Sequence, residues 1–495
     1  MLISNKYNYI VINLIYFNGD KQAPKHKQSL KKRDVEYITT NFYKTLLVKE
    51  GFIKFLSIFN NDYSRLFNES INTNNLEKLY DYVSNNPSVV DLPIIIDNEK
   101  IIYKDEINEF INKLPLKNKT KVLVGLSGGV DSAVAAYLLK EEGYDVSCCF
   151  MRNWDSALNN DVLGNDTLND EICTQEADYN DAKKVADSLG LELLRIDFIK
   201  EYWDNVFNNF VEEYKKGRTP NPDILCNKYI KFDSFLKFAI EKGFDKIATG
   251  HYIKEENGNY YQAFDQNKDQ SYFLAQVDKK ALDKCLFPLG NIDKTEVRRI
   301  AKELNLDIAE KKDSTGICFI GERNFREFLK NYIPMKEGDI VDIDNGEVIG
   351  RHNGVYYYTI GQRKGFNVGG NRGPYFCVGK NVEKNILYLT SVNNEEYLYS
   401  DKCLVKCINW IKDIEDDIDL DVKFRYRQKD IKVHIRKIDE NSAYLLYPEK
   451  IKAVTPGQQA VLYLNKELLG GGVIEETYIN GQEVKKFLDD KMSWN

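Results

Sequence analysis

Lys121-Val122-Leu123-Val124-Gly125-Leu126-Ser127-Gly128-Gly129-Val130-Asp131-Ser132 is an apolar run that enters two adjacent glycines and continues into the helical pattern Ala133–Leu139. Two glycines let the backbone approach a ligand closely, and successive N–H groups can converge on an anion. The following helix N-terminus adds positive potential, and Ser127 and Ser132 supply hydroxyl donors. The stretch therefore fits a phosphate cradle at a strand–helix junction. No Lys-Ser/Thr follows the glycines at Walker A spacing, and the dinucleotide fingerprint is also absent. The competing reading is a Gly-rich turn with Asp131 or Ser132 as helix cap.

Outward from this loop, residues 121–320 alternate strands and helices, which predicts a parallel sheet covered on both faces. The expected strands are Lys121–Leu126, Asp145–Met151, Leu191–Phe198 and Lys246–Tyr252. The expected helices are Ser132–Glu142, Thr174–Leu189, Tyr202–Lys216 and Asp233–Glu241. Beyond about residue 335 the texture becomes all-β, with turns at Gly346, Gly350, Gly354, Gly361, Gly365, Gly369 and Gly370. Val355–Ile360, Asn385–Thr390, Asp421–Tyr426 and Val461–Leu464 read as strands there.

On the other side, Tyr9–Phe17 reads as a strand and the basic stretch Lys25–Arg33 as a helix. Helical patterns follow at Leu46–Phe59 and Leu76–Val83, then a strand and turn at Leu92–Asn98 and a helix at Asp105–Leu114. Pro115–Thr120 reads as a linker.

The chain has 495 residues, 43% apolar and 29% charged, which suits about three soluble domains. The net charge of −7 excludes a wholly basic surface, so any nucleic-acid site must be a local patch. Tyr9–Phe17 is interrupted by Asn13 and is far shorter than the ~20 residues a membrane span needs. No small-residue cleavage site follows it, so no signal peptide is expected. Nine cysteines, none before residue 148, do not make a disulfide framework and point to a reducing cytoplasm.

Two cysteines stand in polar company. Gly217-Arg218-Thr219-Pro220-Asn221-Pro222-Asp223-Ile224-Leu225-Cys226-Asn227-Lys228 reads as a loop stiffened by two prolines, facing the strand ends where open α/β sheets bind ligands. Asp223 is suited to proton transfer, and nearby lysines favour a thiolate. Lys311-Lys312-Asp313-Ser314-Thr315-Gly316-Ile317-Cys318-Phe319-Ile320-Gly321-Glu322 places a second cysteine after a Ser-Thr-Gly turn. The other cysteines read as small buried apolar residues. Cys148-Cys149 and Cys403-x3-Cys407 lack a second ligand pair at finger-like spacing, so no metal site is expected.

Ser127-Gly128-Gly129-Val130-Asp131-Ser132 resembles the signature of the PP-loop ATPases, which implies transfer of AMP to a carbonyl-type oxygen. Taken with other stretches in the same order, residues 121–476 resemble the tRNA-specific 2-thiouridylase family. Those stretches are Phe150–Trp154, Asn221–Lys228, Ala248-Thr249-Gly250-His251-Tyr252, Lys268–Leu274, Lys311–Glu322 and Tyr358–Gly365.

The resemblance implies ATP-dependent 2-thiolation of the wobble uridine of tRNA. Gly125, Leu126, Ser127, Gly128, Gly129, Val130, Asp131 and Ser132 would hold ATP phosphates, with Met151 and Gly250 at the nucleotide and Mg2+ accompanying the pyrophosphate. Cys318 would carry a persulfide, Cys226 would release its sulfur through a transient Cys226–Cys318 disulfide, and Asp223 would serve as acid/base. Asn221, Pro222, Asp223, His251, Lys268, Asp269, Gln270, Arg425, Tyr426 and Gln458 would meet tRNA. Arg425-Tyr426-Arg427-Gln428, read as part of one strand, suits phosphate pairing and base stacking. A cysteine desulfurase or a sulfur-relay protein is the implied donor. Neither DNA nor a membrane is an expected partner.

Residues 8–114 resemble the thioredoxin-like Spx/arsenate-reductase family, on the element order and on Pro93-Ile94-Ile95-Ile96-Asp97. Asn18–Pro24 holds no cysteine where that family has its redox thiol, and Leu92 replaces its arginine. This domain is therefore expected to be redox-inactive. The expected organisation is 1–117 thioredoxin-like, 120–325 PP-loop catalytic (parallel-sheet α/β), 326–398 a small β-rich adapter, and 399–495 a β-barrel-like tRNA-binding domain.

Overall fold

The computed structural model describes residues 11–17, 22–31, 36–59, 62–63, 65–69, 71, 75–97, 100–113, 120–168, 170, 173–313, 316, 320, 323–366, 368 and 374–493. Tyr9, Asn18–Lys21, Arg33, most of the 115–120 linker, Gly369, Gly370, and Cys318 with its neighbours Ser314, Thr315, Ile317 and Phe319 lie outside the described residues.

At the N-terminal end, β1 (Val11–Tyr16), β2 (Glu36–Asn41), β3 (Ile94–Asp97) and β4 (Lys100–Ile102) form a sheet in the order β2-β1-β3-β4. β1 runs parallel to β2 and antiparallel to β3, and β3 runs antiparallel to β4. Side chains alternate between the faces. Ile12, Leu14 and Ile95 pack with Leu30, Ile107 and Ile111, whereas Ile15, Ile94 and Ile96 pack with Phe42, Phe52 and Leu79. Strand β2 was not anticipated, because Glu36-Tyr37-Ile38-Thr39-Thr40-Asn41 is a polar edge strand without a clean apolar alternation. The Leu92–Pro93 peptide is cis.

The next part contains β5 (Lys121–Gly125), β6 (Asp145–Arg152), β7 (Leu193–Asp197), β8 (Lys246–Ala248), β9 (Ile253–Glu256), β10 (Asn259–Gln262) and β11 (Cys285–Leu286). Five of these form a sheet in the order β11-β8-β5-β6-β7, with parallel pairs β11–β8, β8–β5 and β6–β7. Central β5 is buried on both faces, which explains its unbroken apolar run. Helices Val130–Glu142 and Thr174–Leu189 follow as expected.

Two helices differ from expectation. Ile199–Tyr202 and Asn208–Lys215 flank a π-helical segment, Trp203–Phe207. The other begins at Pro222 rather than Asp233, running as Pro222–Cys226, a π-helical Asn227–Ser234 and Phe235–Glu241. Proline is well tolerated at the first helical position, where its missing N–H has no intrahelical partner. Asn221 caps that turn by accepting from the Asp223 N–H at 3.1 Å.

In the all-β region, β12 (Gly338–Asp342), β13 (Val348–His352), β14 (Tyr375–Asn381) and β15 (Ile386–Ser391) form a sheet in the order β13-β12-β15-β14. The expected strand Val355–Ile360 is instead a 3-10 turn at Val355–Tyr357, anchored where the Tyr357 hydroxyl donates to the Ile333 carbonyl at 2.5 Å. The last seven strands are β16 (Tyr399–Trp410), β17 (Asp417–Lys423), β18 (Ile431–Asp439), β19 (Ser442–Lys452), β20 (Gln459–Leu464), β21 (Glu467–Ile479) and β22 (Gln482–Glu483).

Their order β16-β19-β18-β17-β20-β21, with β21 also pairing β16, closes a barrel. Val405, Leu420, Val422, Ile435, Leu445 and Leu462 fill it. Strand β21 pairs outward with β10 through Tyr261 and Glu467, so the hairpin β9–β10 extends the barrel sheet. The final helix, Val484–Ser493, seats Leu488 on Val341, Ile343, Val378 and Tyr388 of the preceding sheet. One apolar cluster runs from Leu123 through Cys226 and Tyr272 to Tyr375 and Tyr463.

Candidate active site

The loop after β5 is tied across its own mouth. The Ser127 N–H donates to Ser132 Oγ at 3.2 Å, and Ser132 Oγ donates to the Gly129 carbonyl at 3.1 Å. Gly128 has φ +74°, and a Cβ there would stand 2.4 Å from the Asp178 carbonyl oxygen of helix Thr174–Leu189. Its glycine is required by that close approach and by the left-handed backbone. Around Gly129 there is space, since a Cβ would meet only Ser127 Oγ, at 3.4 Å. Gly250 presses on the start of the loop's helix, with its Cβ position 2.8 Å from Ser132 N. The Met151 methyl lies 3.0 Å from the corresponding position at Gly125. These contacts bring Gly125–Ser132, Met151 and Gly250 together around an open cradle.

Charged side chains surround it. Asp131 Oδ1 accepts from Tyr252 Oη and from Lys294 Nζ, each at 2.7 Å. Lys294 also pairs with Asp313 at 2.7 Å, and Asp313 takes Arg298 at 3.2 Å and Lys268. Burial raises the Asp313 carboxyl, but hydrogen bonds from Lys268 and Lys294 outweigh it and hold it at about 2. Lys311 donates to the Gly128 carbonyl at 3.2 Å and to Asp178 and Asp181 at 2.9 and 2.7 Å. Gly128 is thus tied directly to Lys311, and Asp131 through Lys294 to Asp313, in the segment that leads toward Cys318.

Sequence reasoning missed Lys294, Arg298, Asp178 and Asp181. Lys294 lies 163 positions from Asp131, and no local pattern pairs them.

Cys226 differs from its expected place on a polar loop. It ends the Pro222–Cys226 turn and is fully buried, in a cluster with Ile224, Ile230, Tyr272 and Leu274. Asp223 lies in the first turn of the same helix.

The residues expected at tRNA divide into two groups. Lys268, Gln270 and His251 lie close to the cradle. Lys268 pairs with Asp313, Gln270 accepts from the Tyr252 N–H at 3.0 Å, and His251 Nδ1 is 2.8 Å from Thr249 Oγ1. Burial, reinforced by Lys231, drives the His251 imidazole well below its ordinary 6.5, so the ring is neutral. Asp269 is buried and accepts from Ala263 N, Ser271 N, Ser271 Oγ and Lys423 Nζ, which joins this loop to β17.

The second group lies on the barrel. Arg425–Gln428 is a turn beyond the end of β17 rather than a strand, because Gln428 Oε1 caps the Phe424 N–H at 2.8 Å and the chain reverses. Arg425 donates to the Ile360 and Ala453 carbonyls at 3.2 and 3.0 Å. The Tyr426 ring packs 4.4 Å from Phe273. Arg425, Arg427, Gln428 and Lys452 line a shallow open depression. Gln458 donates to the Thr219 carbonyl at 2.6 Å.

Three family patterns match the chain in succession. The tRNA methyl transferase HUP domain covers residues 120–322, the tRNA methyl transferase PRC-barrel domain 326–391, and the aminomethyltransferase beta-barrel domain 400–474. The tRNA-specific 2-thiouridylase of Mycoplasma mycoides subsp. mycoides SC is 59% identical over 371 residues, spanning 72% of this chain and 99% of the relative. That of Mycoplasmopsis synoviae is 56% identical over 368 residues, spanning 74% and 98%. A solved 4-thiouridine synthetase–RNA complex with bound ATP aligns at TM-score 0.26 and 16% identity, covering 43% of this chain and 50% of its own.

Proposed function

Since the chain belongs to the tRNA-specific 2-thiouridylase family, we propose that it uses ATP to replace the carbon-2 oxygen of the tRNA wobble uridine with sulfur. The observation that carries this reading is the tied, open loop Ser127–Ser132, with space at Gly129 and hydroxyls at both ends. Backbone N–H groups at a helix start and two serine hydroxyls match the oxygens of a triphosphate.

The carbon-2 oxygen is a poor leaving group until it carries AMP. Cys318 holds the incoming persulfide, and the Cys226 thiolate attacks the Cys318 sulfur. The outer sulfur then departs to carbon-2, AMP leaves, and a Cys226–Cys318 disulfide remains for a thiol reductant. Asp223 moves the proton. Cys226 must be uncovered for this step, because its side chain is buried in the helix that starts at Pro222. Among the described residues no three His, Cys, Asp or Glu side chains gather as metal ligands. Mg2+ would accompany the pyrophosphate and offset its charge. We place tRNA on Asn221–Asp223, Lys268–Gln270, His251 and the Arg425–Tyr426 depression, in the cytoplasm.

The test is nucleoside mass spectrometry of a tRNA transcript incubated with the full chain, ATP and a cysteine desulfurase. Wobble 2-thiouridine forming only when ATP and the chain are both present supports the reading. A folded chain that binds tRNA but yields no thiolated nucleoside overturns it.

A further inference from the structure

The turn Gly217–Asn221 is short, lies between two helices, and is held less by its own unit of sequence than by the barrel. Arg218 Nη2 donates to Glu475 Oε2 at 2.8 Å and to the Ile474 carbonyl at 3.1 Å, while its Nε faces Glu213 at 3.0 Å. The Thr219 N–H donates to the Pro456 carbonyl at 3.1 Å, and the Thr219 carbonyl accepts from Gln458. Gly457, at φ +92°, has its Cβ position 2.8 Å from Thr219 N, so no side chain fits between the two segments. Thr219 Oγ1 also reaches Thr359 Oγ1 at 3.4 Å.

Past these contacts come Pro220, the cap Asn221 and Pro222, three positions with little backbone freedom, and then Asp223 and Cys226. An Arg clamped between two carboxylates fixes both distance and orientation, which a lysine does only in part. The clamp is mostly shielded from water, so it holds more firmly than a surface pair.

We propose that Arg218 is a positioning residue for Cys226 and Asp223, through which strand β21 of the barrel sets the start of their helix. The inference rests on the proposed thiolation for its kinetic arm only. Its physical arm is the reactivity of the Cys226 thiol.

The experiment uses the full chain and the variants Arg218→Met, Arg218→Lys and Glu475→Gln. Two readouts are taken: steady-state thiolation, and the rate of Cys226 alkylation by a maleimide, resolved by peptide mass spectrometry on protein shown folded by circular dichroism. In Arg218→Met, kcat should fall at least tenfold with KM for ATP within threefold, and Cys226 labelling should change at least threefold. Arg218→Lys should recover part of both, and Glu475→Gln should fall between. Folded Arg218→Met with wild-type Cys226 labelling overturns the inference, whatever the turnover. Wild-type chain with no thiolation overturns the proposed activity, while a labelling change in Arg218→Met still supports the positioning role.

Discussion

The Tyr252 hydroxyl donates to the Asp131 carboxylate across 2.7 Å, joining the residue after Gly250-His251 to the far end of the glycine loop. Lys294 reaches the same oxygen, so Asp131 is held from two sides. Tyr252→Phe should cost about 1 kcal/mol of stability, the usual net value of one such bond. Lys294→Met should cost more, because Asp131 and Asp313 lose a shared cation. Urea unfolding of both variants checks the order, and a Lys294→Met chain as stable as wild type would show the network to be idle.

Neighbouring glycines separate packing from binding. Gly128→Ala places a methyl against the Asp178 carbonyl in a left-handed backbone and should destabilise the fold by about 1–3 kcal/mol. Gly129→Ala meets only Ser127 Oγ, so it should fold normally yet weaken binding of a nonhydrolysable ATP analogue at least tenfold. Calorimetric titration beside thermal unfolding distinguishes the two, and equal nucleotide affinity in Gly129→Ala and wild type would place the phosphates elsewhere.

Cys226→Ser and Cys318→Ser should each abolish turnover while leaving the tRNA Kd within about threefold, since neither removes a phosphate contact. Labelled sulfur from a desulfurase should load wild type and Cys226→Ser but not Cys318→Ser. Label retained on Cys318→Ser would reverse the two roles.

His251 gives the fold a pH dependence. Its folded value lies well below 6.5, so below 6.5 the unfolded chain binds a proton that the folded chain does not. Stability should fall as pH drops from 6.5, by up to about 1.4 kcal/mol per unit for this one group. His251→Asn should flatten that slope in urea titrations between about pH 5 and 7. An unchanged slope would mean that the ring titrates alike in the folded and unfolded chain.

The N-terminal sheet has no cysteine, so it cannot relay sulfur through a thiol. A fused domain raises the local concentration of whatever it binds. A chain beginning near Lys117 should thiolate tRNA at saturating substrate but bind tRNA or the donor more weakly, with the larger loss at low salt if phosphates are the contact. Complete loss of turnover in a folded truncated chain would make the domain part of the catalytic unit.

The strand–glycine–helix junction at 121–142 was legible because its parts are consecutive in sequence. The parallel sheet was legible from alternation of elements and the all-β texture from short strands between turns, whereas closure of the barrel depends on β16 meeting β21, far apart in sequence. The surroundings of Cys226 were not, because Pro220 and Pro222 signal a loop as strongly as they signal a helix start. Lys294, Asp313 and Arg298 were invisible as a cluster, since ion pairs between distant segments leave no periodic trace. Arg425–Gln428 was misread as strand because its alternation continues past Lys423, whereas the Gln428 side chain turns the chain there.

The hairpin β9–β10 lies in sequence within the parallel-sheet part, yet its second strand, β10, pairs with β21 of the barrel. A cut at the sequence boundary near residue 325 would separate Tyr261 from Glu467 and free the Gln262 N–H from the Lys466 carbonyl, baring a short stretch of strand edge on each product. The barrel itself would stay closed, since β21 pairs with β16 independently of the hairpin, so what such a cut removes is the outward continuation of its sheet.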